Sequence, residues 1–276
     1  MKLNYLLYIF VCATFFNCAS RKFKNVPYAL GVTKTDSLTL NIFEPRKASE
    51  AKKPVVIFLH GGNWNAGNKN IYGFLGRNFA KRDVVTVIPS YTLSPEANFD
   101  TMAQQIAEAL QWTTAHIADY GGDPNAIFLM GHSAGGHLIA LISTNPKYLA
   151  SRTAIKGVIL DDAAGLDMFS YLQEHPPQSD NDYATTWTQD PKQWKAASPI
   201  YFLSTDAPPF FIYVGTKTYA SIASQNASFL EKLREFQPEV TPKYLKKKHV
   251  PMITQFFWPW SERYGEVLNF IKQNKP

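Results

Sequence analysis

The sequence predicts an α/β fold in which helices cover both faces of a mostly parallel central sheet. Three observations support this prediction. Short apolar runs of the kind that form buried strands alternate along the chain with longer segments of helical periodicity. The 276 residues can bury one large core, and α/β folds of this size are commonly a single domain. The fractions of hydrophobic residues (45%) and charged residues (18%) are those of a globular protein.

The amino-terminal segment has the features of an export signal. Lys2 precedes an apolar stretch, residues 6–16, that is shorter than the ~20 residues a membrane-spanning helix needs. We therefore expect a signal peptide over residues 1–17. Cys18, followed by Ala19 and Ser20, resembles the lipidated cysteine of bacterial lipoproteins, and ordinary secretion with cleavage nearby is the alternative. The expected location is the periplasm, or the outer membrane or cell surface with a lipid anchor at Cys18, or otherwise the medium.

Cysteine usage and charge exclude several classes of function. The two cysteines, Cys12 and Cys18, both lie in this segment, so the rest of the chain has no disulfide, thiol nucleophile or cysteine metal site. The net charge of +6 comes from mostly scattered lysines and arginines. The one dense run, residues 246–248, has no interleaved aromatic residues. We interpret the charge as favouring solubility and expect no nucleic-acid partner.

The strands and helices can be assigned in order along a domain that we place at residues 37–276, after a linker at residues 18–36. The predicted strands are residues 38–43, 55–59, 84–88, 126–130, 155–160 and 210–214. The predicted helices are residues 101–118, the segment after Ser133, residues 228–236 and a final helix that includes Val267 and Ile271. A loop-rich region around residues 173–198, with Trp187 and Trp194, is interpreted as an insertion over the strand ends.

The run Gly131-His132-Ser133-Ala134-Gly135-Gly136 is the most informative motif. It connects the predicted strand at residues 126–130 to an apolar segment, residues 137–142, that is typical of a helix. Glycines two residues on either side of Ser133 permit a strained turn that exposes the hydroxyl. This strand–turn–helix setting is the context that a G-x-S-x-G motif requires, and it predicts that Ser133 is a nucleophile.

A second glycine motif predicts an oxyanion hole. His60-Gly61-Gly62-Asn63-Trp64 directly follows the predicted strand at residues 55–59. The backbone N–H groups of Gly61 and Gly62, with that of Ala134, would stabilise a developing oxyanion. The alternative is a tight turn with no catalytic role. Trp64 and the aromatic residues of the insertion are expected to line the substrate pocket, with core packing as their alternative role.

These motifs resemble those of the α/β-hydrolase superfamily, in particular its esterase and lipase branch with a His-Gly-Gly-x-Trp oxyanion motif. Four further segments are similar to that branch, and the resemblance covers most of the mature chain: residues 90–96, 120–124, 197–199 and 208–210. It implies a triad in the chain order serine, acid, histidine. It also implies hydrolysis of carboxylic esters through an acyl-enzyme, without a metal or an organic cofactor.

The histidine of the triad follows by elimination. Five of the six histidines flank the glycine motifs, or lie in a predicted helix or in the insertion: His60, His132, His137, His116 and His175. His249 alone follows the last predicted strands, where the family has its base on a loop. It would take the proton of Ser133 and return it to the leaving group. A surface histidine in a basic run is the alternative.

The acid departs from the family pattern. An aspartate usually stands about three residues after the glycine that ends the strand at residues 210–214, but this chain has Thr218 there. Asp161 and Asp162 end the preceding strand, and some lipases of this fold take their acid from that place. Adjacent residues of a strand point opposite ways, so only one of the two should reach His249. The local string favours Asp161 over Asp162, Asp167 is a third candidate, and solvated or capping aspartates are the alternative.

The sequence thus predicts an exported serine hydrolase that acts on small-molecule or carbohydrate esters. An arylformamidase-like amidase and a carbohydrate-ester deacylase share this chemistry. A catalytically impaired hydrolase fold that serves as a binding protein is the alternative of another class, and Thr218 is its only support.

Overall fold

The computed structural model describes residues 20–33, 37–46, 50–149, 151–178 and 182–276. The predicted signal peptide and Cys18 lie outside them. Within these ranges one sheet has the strand order β1-β2-β4-β3-β5-β6-β7-β8. The strands are β1 (Ser20–Leu30), β2 (Ser37–Pro45), β3 (Lys53–Leu59), β4 (Val85–Pro89), β5 (Gly122–His132), β6 (Ile155–Asp161), β7 (Phe210–Gly215) and β8 (Lys243–Leu245). β1 with β2 and β2 with β4 are antiparallel, and the other pairs are parallel.

Helices lie on both faces of this sheet. They are α1 (Gly73–Ala80), α2 (Phe99–His116), α3 (Ala134–Thr144), α4 (Met168–Glu174), α5 (Asp182–Trp187), α6 (Pro191–Ala196), α7 (Ala220–Leu233), α8 (His249–Thr254) and α9 (Glu262–Asn274). Alternating side chains of the strands pack into two separate hydrophobic cores, one on each face of the sheet. Val55 and Ile57 of β3 join the core beneath α2, α3 and α7, while Val56 and Phe58 join the core beneath α1, α8 and α9. In the described part of the chain, no helix combines the length and apolar content needed to cross a bilayer.

The predicted fold class is confirmed, and each predicted strand and helix overlaps an observed one. Two strands, β1 and β8, were not predicted. Residues 20–30, assigned above to a linker, instead form β1, an edge strand that pairs with β2. Its side chains include two lysines, one arginine and one proline, and its register shifts twice, so the alternation typical of a strand is broken. The predicted insertion contains the short helices α5 and α6.

The parallel strands position the functional residues. Strands β3 to β7 end along one edge of the sheet, where His132 of β5 pairs with Asp161 of β6 and Asp161 pairs with Tyr213 of β7. Ligands of open α/β sheets bind at this carboxyl edge. The residues that follow these strand ends therefore lie close together in space.

Candidate active site

Ser133 stands on a sharp turn between β5 and α3. Its backbone has φ 55° and ψ −124°, a strained conformation for a residue with a side chain. The flanking glycines allow this turn. A Cβ atom at Gly131 would lie 2.6 Å from the backbone of Gly135, and one at Gly135 would strike the carbonyl group of Leu59. The hydroxyl of Ser133 is thereby held at the wall of a pocket.

His249 joins this serine to a carboxylate. It is the first residue of α8, and its Nε2 lies 2.8 Å from the Oγ of Ser133. Its Nδ1 lies 2.6 Å from Oδ2 of Asp162. A carboxylate can only accept, so Nδ1 carries a proton and donates it, which leaves the lone pair of Nε2 facing the serine hydroxyl.

The carboxylate beside His249 belongs to Asp162, whereas the sequence analysis favoured Asp161. β6 ends at Asp161, and Asp162 turns away from the strand with φ 52°. Both oxygens of Asp162 have protein donors, because Oδ1 accepts the N–H of Gly215 at 2.8 Å and Oδ2 accepts the hydroxyl of Thr218 at 2.5 Å. Asp161 is also fully buried, but neither of its carboxylate oxygens has a hydrogen-bond partner among the described residues. Burial, and then the charge of Asp162, raise the pKa of Asp161 well above its usual value.

The third candidate, Asp167, has a local structural role. Its Oδ1 accepts the N–H of Ser170 at 3.1 Å and caps the first turn of α4. Its own N–H donates to Oε1 of Gln225 at 3.0 Å. Asp167 therefore orients the helix that follows and takes no part in the contacts of His249.

The predicted oxyanion residues surround Ser133. Gly61 and Gly62 line the same pocket as the serine. A Cβ atom at Gly61 would lie 2.8 Å from the Cβ of Ser133, and Gly62 has φ 131°, so both positions require glycine. Ala134 is the first residue of α3, where the N–H group has no acceptor within the helix and the helix dipole is positive.

The pocket beside Ser133 has a volume of about 600 Å³. Four tyrosines contribute to its wall: Tyr72, Tyr171, Tyr183 and Tyr219. Trp64 also lines it but is only 3% exposed, because its ring packs edge-on against Trp187. Of the insertion, Tyr183 lines the pocket, whereas Trp187 and Trp194 are buried in the core. The expectation of a pocket role is therefore wrong for these two tryptophans, which fill the core beneath the insertion.

Two other histidines near the site are held neutral. Burial lowers the pKa of His132 to about 3 and the pKa of His137 to about 4. Nε2 of His132 donates to the carbonyl oxygen of His249 at 3.2 Å, and the two rings stack with centroids 4.7 Å apart. His137 donates from Nε2 to the carbonyl oxygen of Ala197 and accepts the indole N–H of Trp64 at Nδ1. These contacts fix His249 and Trp64 without adding charge.

The chain is similar in sequence to known esterases. The family model described as BD-FAE matches residues 40–233. Esterase LipQ of Mycobacterium tuberculosis is 29% identical over 229 residues, which cover 76% of this chain and 52% of that protein. Probable carboxylic ester hydrolase LipM of the same organism is 30% identical over 200 residues, covering 66% and 45%. The chain thus spans about half the length of these curated relatives.

Solved structures show the same fold. Esterase B from Lactobacillus rhamnosis, crystallised with a tributyrin phosphonate, superimposes with a TM-score of 0.76 at 24% identity, covering 92% of this chain and 86% of that chain. A truncated carbohydrate esterase from gut microbiota gives a TM-score of 0.75 at 21% identity, covering 94% and 98%. The chain therefore belongs to the BD-FAE family and has the fold of the α/β-hydrolase esterases.

Proposed function

We propose that this protein is a serine hydrolase that cleaves carboxylic esters through an acyl-enzyme. One observation carries the proposal: Asp162, His249 and Ser133 form an unbroken line of short contacts that ends at the pocket wall. In such a line the acid orients the imidazole, the imidazole acts as base, and the serine is the nucleophile. The 2.6 Å contact of Asp162 with His249 supports an active hydrolase over an impaired fold used for binding.

The acylation step follows from these contacts. Ser133 Oγ bonds to the carbonyl carbon of the ester while its proton passes to Nε2 of His249, and the carbonyl electron pair moves onto the oxygen. The N–H groups of Gly61, Gly62 and Ala134 are the donors that we assign to this oxyanion. When the oxyanion collapses, the bond to the alcohol breaks and His249 protonates the departing oxygen. Asp162 stabilises the imidazolium that exists between these two transfers.

Deacylation repeats the sequence with water as the nucleophile. His249 takes a proton from water as the water oxygen adds to the acyl carbon. The second oxyanion forms against the same N–H donors. Its collapse releases the carboxylic acid, and the proton on His249 returns to Ser133 Oγ. The chemistry needs no group beyond these side chains and the backbone.

The lining of the pocket supports a substrate with ring faces. Tyrosine presents an apolar ring and a polar tip, and Tyr72, Tyr171, Tyr183 and Tyr219 lie around Ser133. An aryl group presents a flat apolar face, and a sugar ring presents an apolar face of C–H groups with hydroxyl groups around its edge. We therefore propose a carbohydrate ester as one natural substrate, beside simple small-molecule esters.

A fluorophosphonate probe tests the nucleophile directly. We expect labelling of the wild type and complete loss of labelling and turnover in Ser133→Ala, because removing the serine of a triad costs about 10⁶-fold in kcat. Ser221 lines the same pocket and provides the matched control, since Ser221→Ala should keep both. Acetyl and butyryl p-nitrophenyl esters, an acetylated oligosaccharide and an N-formyl anilide form the substrate panel. Absence of labelling and of ester turnover would favour a binding protein, and preferential cleavage of the anilide would favour an amidase.

We also propose that the protein is exported and carries a lipid at Cys18, on the sequence features of residues 1–17. Metabolic labelling with a fatty-acid probe in a bacterial host checks this directly. We expect incorporation into the wild type and into Cys12→Ala, and none into Cys18→Ala. Label-free protein in the medium would instead indicate ordinary secretion.

A further inference from the structure

The hydroxyl of Thr218 lies at the meeting point of the acid and the base. Its Oγ1 is 2.5 Å from Oδ2 of Asp162 and 3.4 Å from Nδ1 of His249. The longer distance is at the limit of a hydrogen bond, so the single hydroxyl proton goes to the carboxylate. Oδ2 of Asp162 thus accepts two hydrogen bonds at once, one from Thr218 and one from His249.

The position of this hydroxyl is fixed by the backbone around it. The N–H of Thr218 donates to the carbonyl oxygen of Gly215 and closes a tight turn after β7. Within this turn the N–H groups of Thr216 and Lys217 donate to the carbonyl oxygens of Leu245 and Lys247, at 2.8 and 3.0 Å. The turn is therefore joined to the chain that leads directly into His249. Donor, acid and base are held in one connected frame.

We infer that Thr218 is a positioning residue that holds Asp162 in the rotamer in which Oδ2 faces His249. This inference rests on the proposed hydrolase function. The carboxylate is fully buried, so water does not replace a lost donor there. Without the hydroxyl, Asp162 keeps the N–H of Gly215 on Oδ1 but loses the second donor on the oxygen that serves His249. The imidazole is then held less firmly in the orientation that aims Nε2 at Ser133.

The hydroxyl is tested by Thr218→Val, which keeps the shape and removes the donor. Because Thr218→Val removes a hydrogen bond to a buried charge, we expect kcat to fall about 10- to 100-fold. KM should stay within about twofold of the wild-type value, because Thr218 does not line the substrate pocket. Thr218→Ser should restore most of kcat relative to Thr218→Val. Thr216→Val is the matched control, since Thr216 lies in the same turn and is exposed, and its kcat should be unchanged.

Equal kcat values for Thr218→Val and Thr216→Val, or no recovery of kcat in Thr218→Ser, overturn the inference while wild-type labelling leaves the hydrolase proposal intact. If Thr218→Val fails to fold, as judged by its melting temperature, Thr218→Ala provides the same comparison.

Discussion

Replacing Asp162 by asparagine exchanges one carboxylate oxygen for an amide nitrogen and leaves the volume of the side chain unchanged. The contacts of Asp162 determine how the amide must lie. Its Oδ1 position faces the N–H of Gly215 at 2.8 Å, and an amide nitrogen there would place two donors against each other. The amide oxygen must therefore face Gly215, so the NH₂ group faces Nδ1 of His249.

That orientation predicts the size of the effect. An amide NH₂ donates to Nδ1 of His249, so the ring proton moves to Nε2, the atom 2.8 Å from Ser133. The imidazole then presents a donor to the serine hydroxyl and cannot take its proton. Reversal of the tautomer in a serine triad lowers kcat by about 10⁴-fold. At about 1.4 kcal/mol for each factor of ten, this corresponds to roughly 5 kcal/mol of transition-state stabilisation.

Asp161→Asn is the matched control, since it makes the same chemical change one residue earlier in a side chain that does not contact His249. Both variants would be assayed for kcat and KM on a short p-nitrophenyl ester, and for the rate of fluorophosphonate labelling. We expect a decrease of about 10⁴-fold in kcat for Asp162→Asn and less than about threefold for Asp161→Asn. A large loss in Asp161→Asn with a small loss in Asp162→Asn would refute the assignment of the acid. Equal small losses would show that His249 works without an aspartate partner.

Three further predictions concern the surroundings of the triad. Gly61→Ala places a methyl group 2.7 Å from the carbonyl oxygen of His132, so we expect kcat to fall about 10²- to 10³-fold. Gly265→Ala is the contrasting variant, because Gly265 on α9 has open space around it, and it should raise the free energy of unfolding by about 0.5–1 kcal/mol. Burial lowers the pKa of His137 to about 4, so the unfolded chain binds this proton first, and the contribution of His137 to the free energy of unfolding should fall by about 1.4 kcal/mol for each pH unit as the pH falls from about 6.5 to 4. Urea titrations should show a shallower decline over this range in His137→Gln, and an identical decline would contradict the buried neutral state. Burial raises the pKa of Asp161, so its contribution to the free energy of unfolding declines as the pH rises above about 4, and Asp161→Asn should gain stability over the wild type between pH 5 and pH 8.

Most of the fold could be predicted because its central strands are continuous apolar runs. Val55, Val56 and Ile57 of β3 are almost completely buried on both faces of the sheet. Continuous apolar runs of this kind are typical of buried parallel strands. β1 was not predicted because it lacks such an apolar run. It lies at the edge of the sheet, mixes charged and apolar side chains, and owes its strand conformation to pairing with β2. The conformation of β1 thus depends on contacts with another segment of the chain, and the local sequence pattern does not indicate those contacts.

In the candidate site, too, the residues set by local sequence could be predicted, and those set by contacts between distant segments could not. Ser133 lies in a motif whose glycines are required by local backbone geometry, so the sequence contains the information needed to find it. The choice between Asp161 and Asp162 depends on a single backbone angle, φ 52° at Asp162, and no neighbouring residue signals it. Thr218 was recognised only as an unexpected residue at the acid position. Its hydroxyl contact with Asp162 joins residues 56 positions apart, and only the folded chain brings them together.

The direction of β1 has a consequence for how an anchored form of the protein would meet its substrates. β1 begins at Ser20, which pairs with Pro45 at the far end of β2. Because β2 runs antiparallel to β4, this corner lies at the edge of the sheet opposite to Ser133. Ser20 follows Cys18 so closely that the intervening chain reaches about 7 Å at most. A lipid on Cys18 would therefore hold the sheet edge opposite to Ser133 close to the bilayer, with only a very short linker between them. The pocket would then open toward the surrounding medium. With the proposed lipid anchor, the pocket would therefore be accessible to dissolved or polymeric esters from the medium and would face away from the lipids of the bilayer.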